Sequence, residues 1–112
     1  MARVVVVFDD LLLGSNFLGM LRAAGHEAEL TGAAAARPAG ADVVVVDLAG
    51  DADIDRLRAE AGDGRLLGVY SHVNVEQRER AEAAGFDLVV PRSRMAREGP
   101  ALVERLLGLS PG

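Results

Sequence analysis

Residues 42–47 read DVVVVD, four valines in a row closed by an aspartate. An unbroken β-branched run, without the polar alternation of a strand wetted on one side, is what a parallel strand covered on both faces requires. RVVVVF at residues 3–8 repeats the pattern. Working outward, RLLGVY at 65–70 and DLVV at 87–90 read as two more strands, and His26 to Leu30 as a short fifth. Between them lie helix-like segments. Leu12 to Ala24 sets Leu13, Phe17, Met20, Leu21 and Ala24 near 3.6-residue spacing and stops at Gly25. Thr31 to Ala36 reads as a brief helix halted by Pro38, and Asp51 to Ala61 as a helix opening in acidic residues that suit its dipole. Asn74 to Ala84 is the clearest helix, with Asn74 and Gln77 as a capping box and Gly85 as its end. Pro100 to Leu107 is the last, with proline in its first turn, and Gly108 to Gly112 is expected to fray.

Strands alternating with helices predict an α/β domain of three layers, a five-stranded parallel sheet with helices on both faces. Right-handed crossovers favour the strand order 2-1-3-4-5, with a site at the carboxyl ends of strands 1 and 3. The expectation is one domain over 1–109 and a disordered tail over 110–112, with no linker and no repeat.

Composition narrows the functional classes. With 50% apolar residues but only one Tyr, three Phe and no Trp, the core is built from Val, Leu and Ala. The net charge of −5 offers no basic field for a phosphate backbone, so direct nucleic-acid binding is not expected. All 12 basic residues are Arg. The absence of Cys excludes thiolate metal sites and cysteine nucleophiles, and His26 and His72 are too few for a histidine metal site. No apolar run approaches the ~18–20 residues of a membrane span, and no signal-peptide pattern opens the chain, so a cytoplasmic protein is expected.

The predicted topology brings Asp9, Asp10 and Asp47 to the switch point. Crowded carboxylates need a cation or raised pKa values, and an all-oxygen cluster suits a hard divalent ion such as magnesium. The alternative is a set of solvated loop carboxylates.

VVVVFDD, then AAGHE, VVVVD and HVNVEQRERAEAAGFDLVV, in register over nearly the whole chain, resemble the receiver domain of bacterial two-component response regulators, the CheY-like, flavodoxin-like fold. The resemblance implies Asp47 as phosphoacceptor, with Asp9, Asp10, Asp47 and the backbone carbonyl of Ala49 holding magnesium. It also implies a signalling role, phosphorelay through a histidine kinase or other signalling protein, rather than an enzyme. Contact would be made through the face of helix 74–84, strand 87–90 and helix 100–107, which is also a candidate homodimer surface.

The departures are as informative as the match. The family's strand-5 lysine falls on Arg92 and the following proline on Ser93; with no Lys in the chain, no shift of alignment changes this. The strand-4 Thr or Ser falls on Tyr70, with Ser71 next, and the aromatic switch position on Val89. LAGDAD replaces the usual Pro- and Gly-containing turn after the phosphoacceptor. Arg92 is expected to pair with a nearby carboxylate, most simply Asp47, locking the site without phosphate. Tyr70 is expected to pack rather than switch. Arg92, Arg94 and Arg97 form either a solvated loop or a dock for an acidic partner, and His72 is equally a surface residue or a ligand.

Two other classes compete with an atypical, phosphate-independent receiver. One is a small-ligand binder on the same architecture, cobalamin- or flavin-type. Asp9, Gly14 and GHEAEL have a cobalamin-like rhythm, but Leu11 stands where its ligand histidine belongs, and Gly14, Ser15 and Asn16 form no Walker or GxGxxG loop. The other is a ligand-free structural or oligomerisation domain, suggested by the self-supporting charges of EQRERAEAA.

Overall fold

The computed structural model describes residues 2–50, 52–71 and 75–108. The elements run β1 (Arg3–Val7), α1 (Leu11–Ala23), β2 (Glu27–Thr31), β3 (Val43–Asp47), α2 (Ile54–Ala61), β4 (Arg65–Tyr70), α3 (Val75–Ala83), β5 (Leu88–Pro91) and α4 (Arg92–Leu107). All strand pairs are parallel, and the order β2-β1-β3-β4-β5 is the expected one. The edges are modest. β2 exposes Glu27, and its Glu29 meets Arg3 at 3.1 Å, while β5 has four residues and ends in Pro91.

The valine runs divide their side chains between two cores, as the two-residue period of a strand demands. Val43 and Val45 join Phe8, Phe17, Leu21, Leu102 and Val103 beneath α1 and α4. Val44 and Val46 face Ile54, Leu57, Ala81 and Phe86 beneath α2 and α3. Within the first core Phe8 and Phe17 meet edge to face, with centroids 5.3 Å apart. α1 lies so close to the sheet at Gly14 that an added Cβ would stand 2.9 Å from Phe8 Cβ and 2.7 Å from Leu30 Cδ1. Gly14→Ala is therefore expected to cost about 1–3 kcal/mol. A urea titration reads this as a lower midpoint at unchanged slope.

Two sequence expectations are corrected. No helix forms over Thr31–Ala36, so β2 connects to β3 through an irregular segment and four helices are described instead of five. Only four alanines separate Gly32 from Arg37 and Pro38, too few to pay for nucleation, and the residue before a proline is steered away from helix. Tertiary bonds hold the segment instead: Arg56 donates to the carbonyls of Ala33 and Ala36 at 3.0 and 3.2 Å. The last helix starts at Arg92 rather than Pro100, which lies inside it. Met95, Gly99, Leu102, Val103 and Leu106 form one buried stripe across the proline, so packing overrides the local stop signal.

Smaller shifts have local causes. α1 and α2 are capped by Asp10 and Asp53, whose carboxylates accept from Leu13 N and Arg56 N at 3.0 Å. Asp42 lies outside its strand and accepts from Arg3 N at 2.9 Å. The expected contributions of Asp51, His72 and Asn74, including the Asn74 capping box, and of the tail beyond Gly108 lie outside the described residues.

Candidate functional site

Asp47 ends β3 and is 4% exposed, the one charged residue among the buried described residues. Burying a carboxylate is costly unless donors and a counter-charge meet it. Two groups do so here. Ala49 N donates to Oδ1 at 3.0 Å, and Arg92 Nη2 lies 3.4 Å from Oδ1 and 3.5 Å from Oδ2. Arg92 is the first residue of α4, so the helix's positive end adds to its charge, and no acidic residue in that turn opposes it.

Asp9 follows β1, and its Oδ1 accepts from Ala33 N at 3.0 Å, which ties it to the irregular β2–β3 segment. Asp9 and Asp47 approach one point from two strands. A Cβ on Gly50 would stand 3.2 Å from Asp9 Oδ2 and 3.8 Å from Asp47 Oδ2, so glycine leaves the room they need. Asp10 caps α1 through Oδ1. Ala49 enters the geometry through its N–H. Among the described residues no three Asp, Glu or His side chains form a group that could hold a metal ion. Each of the three aspartates accepts one protein N–H through Oδ1, and a carboxylate has further lone pairs for another partner.

The remaining candidates are dispersed. Tyr70 ends β4 opposite Pro91 and is half-buried against the second core. Val89 packs on that same core opposite Gly68, and Ser71 is half-buried just after β4. Among the described residues no hydrogen bond or ion pair links Tyr70, Ser71 or Val89 to Asp47. Arg94 pairs with Glu98 at 3.4 Å, and Arg97 donates to Ser93 O at 3.4 Å, so both are engaged within their own helix. Gly14, Ser15 and Asn16 lie in α1 and form no phosphate loop. His26 lies just before β2, its ring nitrogens buried without a hydrogen bond and Nε2 3.9 Å from Glu104 Oε1.

Sequence reasoning missed Arg56. It donates to Ala33 O and Ala36 O and pairs with Glu60 at 3.1 Å, thereby fixing the segment that orients Asp9. Its spacing to Glu60 was visible as an i,i+4 pair, but its reach to residues 33 and 36 is tertiary.

A shallow depression beside the site is lined by Asp9, Ala33, Ala34, Asp53 and Arg56. No aromatic side chain lines it to stack on a flavin or corrin ring. No helix among the described residues is long and apolar enough to cross a membrane.

No family model matches the sequence, and no curated protein matches it. Solved structures do. The receiver domain of NtrX from Brucella abortus superposes with a TM-score of 0.80 at 19% identity, covering 96% of this chain and 99% of that one. The non-phosphorylated HemR receiver domain from Leptospira biflexa gives 0.78 at 22% identity, over 100% and 98% of the two chains. A CheY-like response regulator receiver domain protein from Methanospirillum hungatei gives 0.75 at 14% identity, over 98% and 99%. This chain spans 27% of the longer NtrX chain solved with ATP. Its structural neighbours are thus response-regulator receiver domains, and it has their fold.

Proposed function

We propose that this receiver-type fold works as a cytoplasmic signalling module, passing information by protein–protein contact with a histidine kinase or another signalling protein. Asp47 stands at the phosphoacceptor position, and Arg92 holds it in a state that needs no phosphoryl group. The observation that carries this reading is the position of Arg92 Nη2, within 3.5 Å of both oxygens of a carboxylate only 4% exposed. A guanidinium so placed supplies by a tethered group the positive charge that the site would otherwise need from outside. It also blocks the approach of a phosphodonor along the same line.

The surface of α3, β5 and α4 is the proposed contact face, for a partner or for a second copy of this chain. α3 buries only Ala81 and leaves its charges outward, which suits a recognition surface more than a core element. Neither the depression beside Asp9 nor any ring-stacking residue there favours the small-ligand alternative.

The test is intact-protein mass after incubation with acetyl phosphate and magnesium chloride. Wild type is expected to show no phosphoryl adduct that vanishes in Asp47→Asn. An Asp47-dependent adduct on wild type would overturn the phosphate-independent reading and return the module to a conventional switch.

A further inference from the structure

Residues 92–99, the first half of α4, form a helix against the advice of their own sequence. Pro91 occupies the N-cap with no side-chain cap hydrogen bond, and the first turn lacks an acidic residue. Arg92, Arg94 and Arg97 put positive charge at the positive end of the helix dipole. Gly99 and Pro100 close the segment, and Pro100 has no N–H to give the carbonyl of Ala96, so the ladder is interrupted where the two halves meet. The first half buries Met95 and Gly99, whereas the second buries Leu102, Val103 and Leu106.

Polar ties repeat the contrast. The Arg94–Glu98 and Arg97–Ser93 contacts both lie inside the segment. Among the described residues, the side-chain polar tie from 92–99 to the rest of the domain is Arg92 to Asp47.

We infer that residues 92–99 are a detachable half-helix, latched to the sheet by the Arg92–Asp47 pair and hinged at Gly99–Pro100. A change in charge at Asp47 is then read as loosening of this segment, with Arg94 and Arg97 carried along, while 101–107 stay docked through their apolar stripe. The inference rests on the reading of Asp47 and Arg92 as the signalling pair. Its test uses no phosphodonor, so the two can fail separately.

Hydrogen–deuterium exchange followed by mass spectrometry on the full chain compares wild type with Asp47→Ala, which alters no residue of α4. The expected result is exchange about tenfold faster over residues 95–99 and nearly unchanged over 101–107, the signature of a local opening. Equal acceleration of both halves, or none in either, overturns the latch. Adding Pro100→Ala to Asp47→Ala restores the missing ladder bond, and the contrast between the halves is expected to shrink. A contrast that persists unchanged overturns the hinge. Should Asp47→Ala fail to fold, Arg92→Gln cuts the same pair from the other side and is read in the same way.

Discussion

Phe17→Ala is expected to cost about 3–5 kcal/mol of stability. The ring is 1% exposed and packs edge to face on Phe8, bridging α1 to the end of β1, which carries Asp9. With three Phe, one Tyr and no Trp in the chain, few large neighbours are available to move into the space. A domain of this size has ~5–15 kcal/mol in total, so the loss is a large share of what holds it. Thermal melts should show Tm falling by roughly 10–25 °C. A loss below about 1.5 kcal/mol would mean that the core collapses around the deletion, contrary to the close packing described.

Arg92→Met is the second. Methionine keeps much of the arginine stem's packing and removes only the charge. Asp47 then remains buried with Ala49 N as its described donor and no counter-charge. Breaking a fully buried pair costs ~3–5 kcal/mol, but the Arg92 side chain is 35% exposed and water reaches its end of the pair, so about 2 kcal/mol is expected. Asp47→Asn should cost less than half as much, because Arg92 can turn its released charge to solvent while Asp47 cannot. Urea denaturation of both variants decides it. If Asp47→Asn is the more damaging, the carboxylate is held mainly by its backbone donor, and Arg92 is incidental.

The sheet was legible in the sequence because parallel strands buried on both faces must be apolar throughout, and RVVVVF and DVVVVD satisfy that without long-range information. Topology followed from crossover handedness. The pairing of Arg92 with Asp47 was legible as well, since the strand ends converge and a buried carboxylate seeks the nearest cation. What failed was local stop-signal reading. Pro100 marks a helix start in isolation, yet Met95 and Gly99 extend the buried stripe before it. The alanines 33–36 have high helix propensity, yet bonds donated by Arg56 and one accepted by Asp9 hold them in irregular backbone. Asp10 shows how one residue can carry a local role that the site reading passed over, since it also caps α1.

The edges of the sheet bear on how the domain meets others. An open parallel sheet ends in two unpaired strands, each a template on which a foreign strand can grow. Here one edge carries the exposed Glu27 together with Glu29, and the other is four residues long and ends in a proline that has no N–H to offer. Both ends therefore resist strand-by-strand accretion. Self-association into cross-β aggregates is discouraged, and the helical surfaces are left as the route by which this domain can join a larger assembly.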